Sequence, residues 1–575
     1  MSFMALMFLT RKRNRKSNVN LSHVSPTTLA PGNLIPISFI PIVAGDKLRF
    51  SPSAFVQAFP MNAPLINGFK ICFEYFFIPT RLYNSNLLLD FTGTTDDPDS
   101  VKYPALSVGW APASIDFSTP ENLTTAAETL TTPGSLADYM GFPVGFGIPF
   151  NKVTTPPAFN MIKMLGYLDV VYNYYINQQI DSIPTAAWNL AEDGEGATQA
   201  SFLVSDIEAL LRAVKTAADP VVALTSFIES KYLGSWAWLN SRSSIFQRCL
   251  PPYYLESWLK TSGYVDAEIK VDLEADNKTI SMRNISAMSH IQRWLDLALN
   301  GGRWSDFLNS EFDVSRVKNH STPIFLGADR QYLGSNVIYQ TTGAGDSSSP
   351  LGAFAGQASG GEQFRRRVFN FDEPGYFMVM ASLVPDVIYS RGLDPFLEEL
   401  NLGDSYAPAL DNITMEPLLL QTLDAIPQGV ADSPDVFSFT STNYGNGVGI
   451  GFVPAWSKLM QLVSRSHGRL TTELSYWLLN RDYGDEANSS QVDSLRNTIA
   501  NYLKDGSITY EVAETILAVL QRSRPSPDYS PYIRSDAYNS VFADISNEAQ
   551  NFVLTFSCSA SAYREKSKVN VATTL

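Results

Sequence analysis

Cysteine is scarce in this chain: three residues among 575, Cys72, Cys249 and Cys558, all far apart. That spacing rules out a zinc knuckle, a CxxC redox pair and a disulfide framework, and it fits folding in a reducing compartment. Histidine is equally thin. His23, His290, His320 and His467 stand singly without a second ligand at metal-binding spacing, and neither HExxH nor GxSxG occurs. No run approaches the roughly 18 apolar residues that cross a bilayer, so no membrane insertion is expected. Charged residues make up 17%, below the level of about 25% in ordinary soluble domains. With Lys+Arg 42 against Asp+Glu 57 the formal net charge is −15, too acidic for a protein that coats nucleic acid over its whole surface. Hydrophobic residues reach 45% and aromatic ones 12%, which describes a chain that folds around a large core.

The first ten residues, MSFMALMFLT, are apolar, and the basic run Arg11, Lys12, Arg13, Arg15 and Lys16 follows them. A secretory signal carries its positive charge first, so no export signal is read here. Two alternatives stand: an ordered arm that buries Phe3, Leu6 and Phe8 on a neighbour, or a start assigned too early. After Lys16 the next Lys or Arg is Lys47, so the charge belongs to a short arm. A mobile basic arm holds phosphates without reading sequence, and a solvated, fraying terminus is the plainer alternative. These five residues are the candidate nucleic-acid-binding site. A second basic group, Arg365, Arg366 and Arg367, opens a predicted strand and is equally placed to form salt bridges.

No catalytic residue, metal ligand or cofactor is assigned. The stretches 343–361 and 441–451 read as Gly/Ser loops, since neither has the Lys of a phosphate loop or the third glycine and downstream acid of a dinucleotide site. The acidic groups Asp96, Asp97 and Asp99, and Asp193 with Glu195, sit in polar, turn-like sequence and read as solvated loops rather than glycosidase carboxylates.

Strand periodicity dominates. Residues 33–43 form an apolar run broken by Pro36 and Pro41, suited to an edge strand. In 68–78, Phe69, Ile71, Phe73, Tyr75 and Phe77 share one face, with Lys70, Cys72 and Glu74 on the other. Segments 366–371, 375–390 and 551–558 look similar. Such strands, separated by Pro-, Gly-, Ser- and Thr-rich connections, predict an antiparallel sandwich rather than βαβ units. Helices are predicted over 206–217, where Ser205 and Glu208 form a capping box, over 285–299, and as a pair at 491–504 and 510–522.

Several phrases, taken in order, resemble the major capsid protein of the Microviridae, small icosahedral bacteriophages with circular single-stranded DNA. They include Asn20-Leu21-Ser22-His23, Tyr75-Phe76-Phe77-Ile78-Pro79, Gly134-Ser135-Leu136-Ala137-Asp138-Tyr139-Met140-Gly141 and Tyr172-Asn173-Tyr174-Tyr175. Further along come Phe246-Gln247-Arg248-Cys249, Gly301-Gly302-Arg303-Trp304, Glu373-Pro374-Gly375 and Ser390-Arg391-Gly392-Leu393-Asp394-Pro395. Each phrase is weak alone; their shared order over nearly the whole chain carries the resemblance, which points to a gokushovirus-like or related subfamily.

The resemblance implies a mainly β fold: an eight-stranded antiparallel viral jelly roll with long loop insertions carrying helices. It implies a structural, non-enzymatic protein that self-assembles in sixty copies into a T=1 shell around the packaged single-stranded DNA. The expected partners are that DNA, a small basic DNA-packaging protein, a pilot protein and a host receptor reached through outer loops. The location is the virion, with assembly in the host bacterial cytoplasm. Four regions are expected: an N-terminal arm at 1–32, the first part of the jelly roll at 33–180, an insertion at 181–247 forming an outer protrusion, and the remainder at 248–575. The insertion carries four basic and eight acidic residues, 4 − 8 = −4. Sixty arms with five charges each supply roughly 300 positive charges, while a gene for 575 residues alone needs about 1,725 phosphates, three per residue. The arms therefore tether the genome and do not neutralise it. The rival from another class is a secreted or surface β-sandwich that binds or cleaves glycans, which the order of charge at the N-terminus disfavours.

Overall fold

Alternation decides the architecture. The computed structural model describes residues 17–61, 65–84, 102–107, 133–142, 158–176, 182–184, 201–217, 219–231, 321–339, 354–371, 373–390, 392–399, 415–423, 449–454, 456–460, 462–471 and 549–564, with 405, 406, 408, 474, 477–479, 504, 538, 541 and 542. Ten strands build the main sheet: β1 (Ser17–Asn20), β2 (His23–Leu29), β3 (Leu34–Ile42), β4 (Lys47–Ala58), β5 (Phe69–Pro79), β6 (Ile324–Tyr339), β7 (Phe354–Gln363), β8 (Arg367–Asn370), β9 (Gly375–Pro385) and β10 (Phe552–Arg564). Every pairing among them is antiparallel. The hydrogen-bonded path runs through eight strands, β1-β10-β4-β7-β6-β5-β9-β3, while β2 and β8 pair with β10 and β4 off it.

One long strand folds this path into two layers. Ile324–Leu333 of β6 pairs with β5, and Gly334–Tyr339 of the same strand pairs with β7. The front sheet thus holds β1, β2, β10, β4, β7 and β8, and the back sheet holds β5, β9 and β3. Their inner faces meet through aromatic rings. Phe50 of β4 lies 5.3 Å from Tyr75 and 5.0 Å from Phe377, Phe69 lies 4.9 Å from Phe552, and Phe73 lies 5.5 Å from Phe556. These edge-to-face and tilted contacts fill the gap between two packed sheets, as a jelly-roll sandwich requires.

The predicted strands fall where alternation placed them, and β3 is an edge strand carrying Pro36 and Pro41 as expected. Two loop expectations need correction. Residues 354–361 of the first Gly/Ser stretch lie in β7, and residues 449–451 of the second open a strand, Gly449–Pro454, paired with Met415–Leu419. Backbone ladders to β4 and β6 on both sides hold β7, so its weak side-chain propensity is overridden.

Helices cover the back sheet. α1 (Leu136–Met140) is one turn inside the Gly134–Gly141 phrase, capped by the Ser135 side chain, which accepts from the Asp138 N–H, and ended by Gly141 in the left-handed region. α2 (Ile162–Val170) runs into a wider turn at Val171–Tyr175. Gly166 lets α2 lie directly on β5, since a Cβ there would overlap the Ile78 side chain at 2.6 Å. α3 (Val204–Thr216) buries Ile207, Leu210, Leu211 and Val214 in the main core, and α4 (Pro220–Lys231) follows. Because α3 starts at Val204, Ser205 lies inside its first turn rather than at its cap. The predicted helices at 285–299 and 510–522 lie outside the described residues, as does 491–504 apart from Lys504, which is helical.

Candidate nucleic-acid and assembly surfaces

The five candidate residues, Arg11, Lys12, Arg13, Arg15 and Lys16, lie outside the described residues, but the point from which they depart is fixed. Ser17 pairs with Arg564, the last residue of β10. Arg564 is itself anchored: its guanidinium donates to Asp46 Oδ2 at 2.7 Å and to the Pro41 carbonyl at 2.9 Å. Asp46 also accepts from the Val43 N–H at 2.9 Å, closing the turn between β3 and β4. The arm therefore leaves the front sheet at a corner held by a buried ion pair, beside the point where the tail bearing Lys566 and Lys568 departs.

From that corner the outer face of the front sheet can be read row by row. Asn18, Tyr563, Lys47 and Asn370 stand side by side across four strands, and Asn20, Ser561, Arg49 and Val368 form the next row. Farther along, Pro26, Thr555, Phe55 and Gly361 form another. Inner and outer positions alternate without interruption along β4 and β10. The back sheet differs. Its outer face lies under α2 and the following turn, with Phe76 5.1 Å from Tyr174, and the Tyr167 hydroxyl donates to the Leu34 carbonyl at 2.8 Å.

The second basic group splits. Arg367 pairs with Asp329, donates to the Ala328 carbonyl at 2.7 Å and lies over the Tyr75 ring at 5.3 Å. Arg365 and Arg366, in the turn before β8, are exposed. Sequence offered no way to separate them, since Asp329 sits in a different strand.

Three clusters of reactive side-chain types are structural. His23 bonds through Nδ1 to the Leu21 carbonyl at 3.0 Å, which requires the proton on Nδ1, and through Nε2 to Ser38 Oγ at 2.8 Å. Cys558 Sγ lies 3.3 Å from the same ring, and burial pushes this thiol above its usual range. Ser38 and Cys558 are both buried, so this trio packs the sheet edge and presents no nucleophile. Cys72 is likewise pushed up to about 11, first by burial and then by the nearby Glu74. Glu74 is shifted up to about 7 by burial, against a smaller opposing pull from Arg330, and accepts from the Tyr175 hydroxyl. Asp169, on α2, accepts from Tyr83 at 3.0 Å and Asn173 at 2.7 Å, and meets Lys215 of α3 at 2.8 Å. That contact ties α3 to α2. Among the described residues no group of three or more His, Cys, Asp or Glu is arranged to hold a metal ion.

Comparison with known proteins settles the class. A family described as "Capsid protein (F protein)" matches residues 8–217 and 233–445, well over half of the chain. The chain belongs to this phage capsid protein family. "Capsid protein VP1" of Chlamydia phage 1 is 20% identical over 474 residues, covering 70% of this chain and 77% of that protein. "Capsid protein VP1" of Bdellovibrio phage phiMH2K is 22% identical over 461 residues, covering 74% and 79%. The resemblance to the Microviridae capsid protein is thereby shown, and the glycan-binding rival is not favoured. A capsid protein acts in the virion through contacts between many copies, so its working parts are surfaces. Among the described residues no helix is long and apolar enough to cross a membrane.

Proposed function

We propose that this capsid protein is the major shell subunit, assembling in sixty copies on a T=1 lattice around a circular single-stranded DNA genome. The observation that carries this reading is the family match over most of the chain, joined to an antiparallel sandwich with long connections between its strands. Large apolar side chains stand exposed on those connections, among them Leu397, Met460 and Leu462, at 68%, 69% and 76% of their full exposure. Closed symmetry multiplies modest contacts of that kind into a stable shell.

In this reading the arm from Arg11 to Lys16 tethers DNA on the inside, leaving from the Ser17 corner. A small basic packaging protein and a pilot protein complete the particle. The insertion at 181–247 projects outward toward a host receptor, and the pair of Lys215 and Asp169 ties its helix α3 to α2. Assembly takes place in the bacterial cytoplasm.

Expression of the full chain, followed by electron microscopy and nuclease-protection assays, tests the proposal. Closed particles of uniform size holding protected single-stranded DNA are expected. Deletion of residues 11–16 should lower the DNA retained per particle while leaving the subunit fold intact. A chain that stays monomeric, or mutant particles as full as the unaltered ones, would count against shell or tether respectively.

A further inference from the structure

The front sheet has one face packed on the core; α1 meets the other at the far end of β2, where the Tyr139 hydroxyl donates to the Thr28 carbonyl, and the chemistry of the outward face is one-sided. The outward positions of β1, β2, β4, β7, β8 and β10 whose side chains are described number twenty-two. None is Asp or Glu, in a chain with fifteen more acidic than basic residues. Thirteen are Ser, Thr, Asn or Gln, and the two charged ones, Lys47 and Arg49, are both basic and exposed. Exposed Arg365 and Arg366 stand at the sheet's margin. Glu362, an exposed acid in β7, is opposite Ala54 and takes the parity of the inner face.

Two aromatic rings stand on the same face: Phe55 is 52% exposed and Tyr563, opposite Lys47, is 48% exposed. Exposed aromatics are poor neighbours for water, but they suit unpaired bases, which stack on any π-face without regard to sequence. Hydroxyl and amide side chains supply bonds to phosphate and sugar, and lysine and arginine supply the charge. Ser17, which follows the basic run directly in sequence, opens β1 at the corner where Lys47 and Tyr563 sit.

The geometry points to the outward face of the front sheet as a docking surface for single-stranded DNA, with Lys47 and Arg49 on phosphates and Phe55 and Tyr563 stacking on bases. This rests on the shell reading and adds to it which wall of the sandwich faces the genome. Duplex DNA, whose bases are already stacked, would use the charges but not the rings.

The test is a fluorescence titration of the full chain with a fifteen-nucleotide oligodeoxythymidylate over a range of salt concentrations. Each phosphate contact contributes roughly 0.7 to the slope of log affinity against log salt on single strands, so Lys47→Gln with Arg49→Gln should flatten the slope by about 1.4. Phe55→Ser and Tyr563→Ser should each weaken binding about tenfold or more with the slope preserved. The swap Lys47→Arg with Arg49→Lys should retain binding. Ultraviolet cross-linking of filled particles should place nucleotide adducts on β4 and β10. Unchanged slope and affinity in the variants, adducts confined to other segments, or variants that lose assembly while keeping oligonucleotide affinity would each overturn the assignment. Particle formation, scored by microscopy on the same preparations, tests the shell reading separately, because the titration reads the face whether or not shells close.

Discussion

Arg564 and Asp46 are 518 residues apart in sequence and 2.7 Å apart in space, joining the end of the last long strand to the turn before β4. The Asp46 side chain is fully buried and that of Arg564 nearly so, which makes the pair expensive to break from one side only. Arg564→Met should therefore destabilise the chain by about 3–5 kcal/mol in chemical denaturation, because it strands a buried carboxylate. Adding Asp46→Asn should recover part of that loss. Equal stability of the single variant and the unaltered chain would show that the pair holds nothing together.

Gly327 has φ of +138° at the bulge in β6, and the guanidinium of Arg367 occupies the space that a Cβ would need. Gly327→Ala should cost roughly 1–3 kcal/mol from backbone conformation, and should displace Arg367 from Asp329 and from the Tyr75 ring. A crystal structure of the variant with Arg367 in place would contradict this.

Glu74 gives the chain a pH dependence of unusual sign. Its carboxyl is raised from 4.5 to about 7 in the folded chain, so between those values the native state binds a proton that the unfolded chain releases. Stability from this group is fully present below pH 4.5 and is lost as pH rises through 7, a change of up to roughly 3 kcal/mol. Denaturation midpoints at pH 5 and pH 8 should differ in that direction, and Glu74→Gln should remove the difference. A midpoint that rises with pH across this window, in the unaltered chain alone, would defeat the assignment.

Lys215 is the cation that meets buried Asp169 from α3. Lys215→Met should loosen α3 from the sandwich before it affects the sheet. Hydrogen exchange is expected to speed up in 204–216 while β4, β5 and β10 stay protected. Uniform acceleration across all of these elements would mean that the pair supports the whole fold.

Much of the sandwich was legible because strand alternation is a local signal. Phe69, Ile71, Phe73, Tyr75 and Phe77 declare a covered face whatever lies above it, and all five are buried. The stretch at 354–361 was misread for the same reason: Gly, Ser and Ala carry no local strand signal, and only the ladders to β4 and β6 make it one. Arg365 to Arg367 show the limit for charge. Composition marks three adjacent arginines, but the position of Asp329 decides that one of them is consumed inside the subunit.

The sequence by itself determined the period of each strand, the shortage of cysteine and histidine chemistry, and the concentration of positive charge ahead of Ser17, since all of these depend on neighbours along the chain. Only the tertiary structure decided that α2 covers the back sheet, that the described outward positions of the front sheet carry no carboxylate, and that Arg564 closes on Asp46. Those outcomes depend on contacts between residues hundreds of positions apart, where sequence spacing carries no information about which side chains will share a surface.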